Sequence, residues 1–544
     1  MTRPSRRSKS GSKRVPPRED SDKRAAGGSG PSFLVLLSAI GAAALLLRLI
    51  HVLQTTETPT VVQLIGDAKG YFQWASRIAG GDWYGSETFY QAPLYPYVLA
   101  VKIKFFGAGV LGIRVCQAML GAVSVVLLGM ATKRMFDATA GLVAAAMYAI
   151  YPPAFYFDGI VQKTALASFL LAALLATTAR FQDDHRRRWS AMIGIVLGLL
   201  VLTRENALLW LPILPIWIWL GCQLIRRERV IHIACYVGGL ALVLLPVAAR
   251  NASLGGEWSP TTFQAGPNFY IGNNLASNGL YRPLVPGHET PFYERADAQR
   301  LAEQAEGRQL SSREVSRFWA DQAIEEIRAD PLHWVQLMIA KSFMVINHYE
   351  VPDVESIDVY ADYSRPLRLI TPWWHFGILF PLAVWGVVAT RRQWSQLWLY
   401  YLLILVMAAA IVAFFILGRY RQPLVLMLVP FSAMGWVDLY QRIRMKNWAG
   451  ILAPLITSLV AAILCNLPVH DESMLSASSY MNAGVAAGQA GNMRVSIELL
   501  SHAVQTHPEM AEAHVNLGRA LELTNRPQDA LIYFANAQKL DPTL

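Results

Sequence analysis

The run FLVLLSAIGAAALLLRLIHVL, residues 33–53, decides the fold of this chain. About 20 consecutive apolar residues span the hydrocarbon core of a bilayer, so the run predicts a transmembrane helix. Similar runs recur along the 544 residues, of which 54% are hydrophobic and only 16% are charged, against about 25% charged residues in soluble domains. This composition argues against a water-soluble multidomain protein. The four cysteines lie in or beside apolar runs, which argues against a disulfide scaffold.

The positive charge of the chain is concentrated at its N-terminus. Residues 1–30 contain nine Lys and Arg residues and three acids, and therefore carry +6 of the formal net charge of +10. They show no apolar periodicity, which predicts a disordered tail. A basic segment directly before the first span indicates a cytoplasmic anchor under the positive-inside rule. We therefore predict no nucleic-acid partner.

Basic clusters between the other apolar runs predict the topology. Cytoplasmic placement of all of them satisfies the positive-inside rule. The N-terminus then lies inside, the C-terminus lies outside, and eleven helices cross the plasma (inner) membrane. The predicted spans are residues 33–53, 112–132, 138–157, 160–180, 189–203, 206–224, 230–249, 374–390, 397–417, 422–440 and 448–467.

Two long segments, residues 54–109 and 250–371, are predicted to lie outside the cytoplasm. Both are rich in Tyr, Trp and Phe, and connections of this length usually carry function or disorder. Residues 93–106 are apolar but short for a span, which predicts a helix in the outer interface. A semi-apolar helix near residues 332–347 is predicted to lie on the membrane in the same way.

The C-terminal residues 468–544 contain a repeat. A shift of 34 residues superposes Asn482 on Asn516, Gly484 on Gly518, Ala503 on Ala537 and Pro508 on Pro542. The pattern resembles the tetratricopeptide repeat, a pair of helices in which small and large residues nest. Two repeats are few for an independent solenoid, so the pair is expected to lean on the membrane domain, dimerise or continue in a partner. It either docks a peptide or protein or acts as a stabilising cap.

An acid on an outer loop is a candidate for chemistry. Asp67 follows the first span in GDAKGY, residues 66–71. Apolar side chains at Tyr71, Trp74, Ala75 and Ile78 have helical spacing and predict an amphipathic helix on the membrane surface. Asp67 then either caps this helix by accepting backbone N–H bonds or acts on a substrate.

Short motifs follow in a fixed order along the chain. They are GGDW at 80–83, QAPLYPY at 91–97, LTR at 202–204, ARN at 249–251, NFYIGNN at 268–274, DPLHW at 330–334 and GRYRQP at 418–423. Together with Asp67, they resemble the GT-C membrane glycosyltransferases of the family 39 group. That group includes the protein O-mannosyltransferases and the bacterial enzymes that transfer aminoarabinose to lipid A. The resemblance covers about residues 33–467, and residues 31–467 are predicted to form one membrane domain.

The resemblance implies an all-α polytopic membrane enzyme with interfacial helices. It would transfer a sugar from a polyprenyl-phosphate donor to an extracytoplasmic acceptor, either a protein or a cell-envelope glycan or lipid. The acid matching Asp67 would act as general base on the acceptor or orient it, and attack opposite the leaving phosphate would invert the anomeric centre. The motifs also supply candidate substrate contacts, namely Glu87, Tyr90, Gln91, Asn273 and Asn274.

Four arginines are predicted at outer ends of spans, against the positive-inside trend. They are Arg204, Arg250, Arg419 and Arg421. A guanidinium can pair with the phosphate of a lipid-linked donor through two hydrogen bonds. Each arginine could equally be an interface residue whose charged end reaches water. Arg419 and Arg421 are the strongest candidates, because GRYRQP interrupts a long apolar stretch where topology needs no charge.

The first loop departs from the pattern of the lipid A enzymes. Those enzymes carry a second acid before the paired prolines, where this chain has Tyr90-Gln91-Ala92-Pro93. Glu87 either replaces that acid or is a solvated loop charge. The sequence has no His/Cys cluster with metal-ligand spacing, so no metal site is predicted, although a divalent metal stays open. His348 and Glu350 are expected to be structural, and Asp353, Glu355 and Asp358 solvated.

Two other functions compete with the enzyme. A transporter or flippase of lipid-linked sugars would favour ionisable groups buried in mid-span and interrupted helices in paired halves. Such charges are scarce here, and no clear inverted repeat is visible. A membrane-anchored repeat scaffold would leave the many spans and the two aromatic-rich loops unexplained. A polyprenyl-phosphate-sugar-dependent glycosyltransferase is therefore the preferred interpretation.

Overall fold

The computed structural model describes residues 31–255, 258–288 and 291–542. Within these ranges the chain is helical and contains no β-strand. The all-α fold class predicted from the sequence is therefore confirmed. The basic tail predicted at residues 1–30 lies outside the described residues.

The first half of the chain supplies eleven α-helices and the 3₁₀ helix Glu205–Trp210. The α-helices are α1 (Phe33–Gln54), α2 (Pro59–Val62), α3 (Gly66–Ala79), α4 (Leu94–Phe106), α5 (Val110–Met135), α6 (Ala138–Ala149), α7 (Pro152–Asp158), α8 (Thr164–Asp184), α9 (Arg187–Val201), α10 (Ile213–Gly221) and α11 (Arg226–Gly255). Two of the three segments predicted to lie on the membrane surface, α3 and α4, are in this half and are helical.

The second half begins with a segment of shorter helices. These are α12 (Ala265–Asn273), α13 (Pro291–Glu306), α14 (Ser312–Ala329), α15 (Pro331–Ile346), α16 (Ile357–Tyr363) and α17 (Arg365–Ile370). Four apolar helices follow, α18 (Phe376–Ala389), α19 (Trp394–Ala413), α20 (Gly418–Arg444) and α21 (Trp448–Cys465). The chain ends with α22 (Glu472–Gln489), α23 (Met493–Thr506), α24 (Ala511–Leu523) and α25 (Pro527–Leu540).

All eleven predicted spans coincide with helices, but their lengths differ. Among the described residues, seven helices are long and apolar enough to cross a membrane, namely α1, α5, α8, α11, α19, α20 and α21. The pair α6 and α7 makes an eighth if it counts as one span, bent by 59°. The bend lies where Pro152 and Pro153 begin α7. The remaining predicted spans, in α9, α10 with its 3₁₀ turn, and α18, are shorter apolar helices. Eleven crossings and their direction stay predictions.

A break between α19 and α20 determines where the functional residues lie. Residues 414–417 are not helical. Loops from elsewhere in the chain form hydrogen bonds with the backbone at this break. The N–H of Ile416 donates to the carbonyl of Gly279, and the N–H of Gly418 donates to the carbonyl of Val351, both at 2.8 Å. Irregular backbone at membrane depth is tolerated where protein groups satisfy it. The break therefore joins the start of α20 to two loops.

The last four helices form the predicted repeat pair. Gly484 of α22 lies against Leu500 of α23, and a Cβ on the glycine would approach the leucine Cγ to 2.7 Å. The equivalent Gly518 lies against Phe534, where a Cβ would approach Cε1 to 2.6 Å. The same small residue thus faces the same large one in both repeats, and the tetratricopeptide prediction is confirmed. The pair packs on α2 and α16, as expected of a repeat that leans on the membrane domain.

A buried ion pair fastens α1 to the last residue of α7. Arg48 Nε donates to Asp158 Oδ2 at 2.7 Å, and the two side chains are 0% and 5% exposed. Arg48 also donates to the carbonyls of Ala44 and Ala149. A Cβ at Gly121 would overlap the Asp158 carboxylate at 1.9 Å, so the ion pair requires a glycine on α5.

We predict that Asp158→Ala destabilises the protein by about 3–5 kcal/mol, because it leaves a buried arginine without its counter-charge. Thermal unfolding in detergent measures this as a lowered Tm. Asp183→Ala is the matched control, since the Arg134–Asp183 pair is 29% and 45% exposed and such pairs contribute about 0–1 kcal/mol. Equal Tm values for the two variants would contradict the prediction.

Candidate active site

Asp67 lies in the first turn of α3 but does not cap the helix. The N-cap residue is Ile65, and it has no side-chain cap bond. Gly66 adopts a left-handed backbone with φ of +51°, and a Cβ there would approach Val354 Cγ2 to 2.8 Å. This geometry turns the Asp67 carboxylate away from the helix backbone. The capping interpretation of Asp67 is therefore wrong, because the carboxylate instead contacts Arg419 and Gln91.

Arg419 bridges two carboxylates at the start of α20. Its Nη1 pairs with Asp67 Oδ2 and, at 2.7 Å, with Asp353 Oδ2. The side chains of Arg419 and Asp67 are only 12% and 13% exposed. Gln91 Nε2 lies 3.5 Å from the other oxygen of Asp67. The expectation of a solvated Asp353 is wrong, since the break after α19 brings a cation to it.

The three charged residues open into a polar cavity. Its lining is mostly amide, hydroxyl and charged side chains, with few apolar atoms. The residues that line it are Asp67, Tyr71, Gln91, Lys163, Gln264, Asn268, Tyr281, Glu294, Asp353, Val354, Phe415, Arg419 and Tyr420. They come from both long segments predicted outside the cytoplasm and from the ends of apolar helices. The lining therefore offers many hydrogen-bonding groups to a polar ligand.

The two carboxylates on Arg419 differ in proton affinity. Burial favours the neutral form of Asp67, but the charge of Arg419 and its hydrogen bond outweigh burial and lower the pKa of Asp67 below its usual value. Burial raises the pKa of Asp353, with Arg419 opposing the shift and the charge of Asp67 adding to it. Two neighbouring carboxyls with divergent pKa values are a pattern of acid–base sites. Asp67 is the one held ionised, and so able to accept a proton.

A third carboxyl, Glu294 of α13, faces the same cavity and was not anticipated. The hydroxyl of Tyr281 donates a hydrogen bond to it. Burial raises the pKa of Glu294 to about 7; the Tyr281 hydrogen bond opposes the shift and the charge of Asp67 adds to it. Glu294 lies in a helix with ordinary amphipathic composition, so the sequence around it carries no signal. Its place in the site depends on how α13 packs across α3.

Two further cations lie near Arg419. Lys163, also not anticipated, lines the cavity, and its Nζ is 3.9 Å from Glu205 Oε2. Arg204 lies behind the cavity wall, where its Nη2 donates to the carbonyl of Arg419 at 2.7 Å and to Thr164 Oγ1 at 2.9 Å. Arg204 therefore supports the backbone of Arg419 in this structure.

The other two predicted arginines point elsewhere. Arg421 is 3% exposed; it donates to backbone carbonyls of residues 345–349 and pairs with Glu350 Oε1 at 2.7 Å. Arg250 donates to the carbonyls of Tyr84 and Glu87 at 2.7 and 3.1 Å, and its guanidinium lies 3.7 Å from the Phe89 ring centre. Both arginines hold loops in place, and their binding of a phosphate stays a prediction.

Of the candidate substrate contacts, Gln91 alone lines the cavity. Glu87 is exposed and pairs with Arg295 at 2.5 Å. Asn273 is buried and donates to the carbonyls of Phe269 and Ala413, both at 2.8 Å. Asn274 donates to its own helix at the carbonyl of Tyr270, 3.0 Å away.

Tyr90 lies near Glu294. Burial and the negative charge of Glu294 raise the pKa of Tyr90. The roles of Glu87, Tyr90, Asn273 and Asn274 in substrate binding stay predictions.

Within the described ranges, no group of three or more His, Cys, Asp and Glu side chains is arranged to hold a metal ion. His348 and Glu350 have structural partners, as expected. The backbone N–H of His348 donates to the carbonyl of Cys465 at 2.8 Å, and Glu350 pairs with Arg421. Glu355, expected in solvent, instead accepts a hydrogen bond from Tyr360 at 2.8 Å.

Two protein-family models match the chain. The model for dolichyl-phosphate-mannose-protein mannosyltransferase matches residues 90–249. The tetratricopeptide repeat model matches residues 511–544. The first match includes Gln91 and Lys163 of the cavity, whereas Asp67 and Arg419 lie outside it. A search of curated proteins found no match.

Several solved structures are similar at low identity. The apo oligosaccharyltransferase of Archaeoglobus fulgidus is 16% identical, with a TM-score of 0.45 over 85% of this chain and 56% of that chain. ArnT from Cupriavidus metallidurans bound to undecaprenyl phosphate is 16% identical, with a TM-score of 0.35 over 74% and 78%. The Pmt1-Pmt2 complex of S. cerevisiae bound to the sugar donor is 17% identical, with a TM-score of 0.34 over 42% and 35%.

The chain spans less than two thirds of the length of the archaeal enzyme. The predicted resemblance to protein O-mannosyltransferases is confirmed over residues 90–249, and the tetratricopeptide prediction over residues 511–544.

Proposed function

We propose that this chain transfers a sugar from a polyprenyl-phosphate donor to an extracytoplasmic acceptor, with Asp67 as the general base. The observation that carries the proposal is the contact of the Asp67 carboxylate with Arg419 in a polar cavity where apolar helices end. The match of residues 90–249 to a mannosyltransferase family supports the reaction class.

The proposed reaction moves one proton and releases one leaving group. The acceptor oxygen or nitrogen attacks the anomeric carbon, and a new bond forms as the bond from that carbon to the phosphate oxygen breaks. The phosphate keeps the electron pair, and the acceptor proton passes to a carboxylate oxygen of Asp67. A base within hydrogen-bond reach accelerates such a step by about 10²–10⁴-fold. Attack opposite the phosphate inverts the anomeric centre.

The leaving phosphate needs a cation in the cavity. Arg419 faces the cavity but already contacts two carboxylates. Lys163 has one loose partner, Glu205 at 3.9 Å, and can turn toward a phosphate at little loss. We therefore assign the phosphate to Lys163 and Arg419 together, with Arg204 holding Arg419 from behind. Arg250 and Arg421 could join only by exchanging their present partners.

We further propose that the chain crosses the plasma (inner) membrane several times, with a cytoplasmic N-terminus and extracytoplasmic repeats. The site would then open to the outer face, where the acceptor is a protein or a cell-envelope glycan or lipid. A repeat pair on the same side as the site favours recruitment of a protein acceptor or partner.

We predict that Asp67→Asn abolishes transfer while the protein folds. Asparagine keeps the shape of the side chain but cannot take the acceptor proton, so transfer falls by at least about 10²-fold. The measurement is the surface glycan of cells that express the variant at the wild-type level, together with the amount of lipid-linked sugar, which should accumulate.

Asp321→Asn, at an exposed position on α14, is the control and should leave both quantities unchanged. Wild-type glycan in the Asp67→Asn strain would eliminate Asp67 as the base. Loss of glycan in which lipid-linked sugar is trapped on the cytoplasmic face would instead favour a flippase.

A second prediction concerns Glu294, whose pKa is raised to about 7 by burial. As the pH rises from 6 to 8, Glu294 loses its proton and adds a negative charge to the cavity, which weakens binding of an anionic lipid. At a separation of about 8 Å and an effective dielectric of about 20, the repulsion is large enough for binding to reprotonate Glu294, so the Kd rises by up to about tenfold between the two pH values. The Kd of undecaprenyl phosphate for the purified protein, measured at both pH values, tests this expectation.

Glu294→Gln should remove that pH-dependent loss, leaving only the titration of the lipid phosphate itself. Glu306→Gln, at the exposed end of the same helix, should behave as wild type. If the ratio of the Kd at pH 8 to the Kd at pH 6 is the same in wild type and in Glu294→Gln, Glu294 does not face the bound phosphate.

A further inference from the structure

We propose that α22, the first helix of the repeat pair, positions the two carboxylates that hold Arg419. The repeats are then a structural part of the active site in addition to any role in recruitment. Asn482 and Tyr480 of α22 are the positioning residues. The catalytic role inferred for α22 rests on the proposed glycosyl transfer, whereas the contacts that α22 makes do not depend on it.

The first contacts reach the segment that carries Asp353. Asn482 Nδ2 lies 3.4 Å from the carbonyl oxygen of Val354, the residue after Asp353. The hydroxyl of Tyr480 donates to Asp362 Oδ2 at 2.8 Å. These two bonds hold both ends of the stretch from Val354 to the end of α16.

A shared apolar core joins the same two parts. Val359 of α16 is 2% exposed and belongs to one cluster with Ala477, Tyr480 and Ala483 of α22. The cluster means that α16 is buried against the repeats rather than against the spanning helices alone. Removing the repeats would expose this core, so the stretch around Asp353 depends on them.

A second route leads from α22 to Asp67. Val354 packs on Gly66, where no side chain larger than hydrogen fits without a shift. Helix α2, which precedes Gly66, also packs directly on α22. Helix α22 thus contacts the helix that precedes Asp67 and the segment that carries Asp353.

The membrane domain also holds the segment between α15 and α16, in which no regular helix covers residues 347–356. The N–H of Gly418 bonds the carbonyl of Val351, and Glu350 and Asp353 pair with Arg421 and Arg419. The contacts of α22 with Val354 and Asp362 add support on the C-terminal side of Asp353. A displacement of about 1 Å from a catalytic geometry can reduce a rate by about 10²-fold. Asn482 and Tyr480 do not line the cavity, so loss of their bonds to Val354 and Asp362 should slow catalysis by displacing Asp353 and not by removing a cavity side chain.

The second repeat provides the matched control. Asn516 is the residue that the 34-residue shift places on Asn482. Its Nδ2 bonds the carbonyl of Glu512 in its own helix, away from the membrane domain. Asn482→Ala and Asn516→Ala therefore remove the same amide at equivalent helical positions, and only the first breaks a contact with the site.

The experiment compares Asn482→Ala, Tyr480→Phe and their double variant with Asn516→Ala in the full-length chain. One readout is hydrogen exchange of the backbone at residues 350–363 in purified protein. The other is the initial rate of glycan formation in membranes of the native host, which contain its own lipid-linked sugars. We expect faster exchange and a rate about tenfold lower for the double variant, with wild-type values for Asn516→Ala.

Asn482→Gln retains an amide donor and should recover part of the rate, which a general loss of stability would not allow. Tyr480→Phe keeps the ring in its core, so it separates the Asp362 bond from folding. Exchange and rate equal to those of Asn516→Ala would overturn the inference. If wild-type membranes form no glycan, the proposed function fails, and the exchange measurement still decides whether α22 holds the segment.

Discussion

The guanidinium of Arg419, held between Asp67 and Asp353, is the interaction on which the site depends. Moving a charge out of water costs several kcal/mol unless partners compensate it, so the three groups must arrive together. They come from the start of α3, the segment before α16 and the start of α20. The break at residues 414–417 is the backbone arrangement that lets α20 begin beside the other two. The loops around the cavity are therefore arranged to bring one cation to two anions.

Sequence patterns located two of the three partners. Asp67 stands out because it follows the first span, and Arg419 because it interrupts an apolar run where topology needs no charge. Asp353 lies in a short acidic stretch that resembles any solvated loop. Glu294 lies on an unremarkable amphipathic helix. Their burial is decided by the packing of distant segments, and neither periodicity nor local composition contains that information.

Hydrophobicity predicted where helices lie better than it predicted their length. Every predicted span is helical, yet α9 and α18 are shorter than a bilayer requires for an untilted crossing. Apolar composition is the same for a crossing helix and a buried short one, so it cannot separate them. The repeat was predictable because the small residues Gly484 and Gly518 recur at a fixed spacing. The residues by which α22 docks were not predictable, since Asn482 and Tyr480 make these contacts once each.

The order in which the chain is synthesised has a consequence for the pairing of Arg419 with Asp67 and Asp353. Asp67 is synthesised 352 positions before Arg419, and Asp353 also precedes it. Until α20 is made, the cation that joins the two acids is missing. The charge pairing of the cavity is therefore complete only once α20 exists, and the packing of α22 on the segment around Asp353 comes later still.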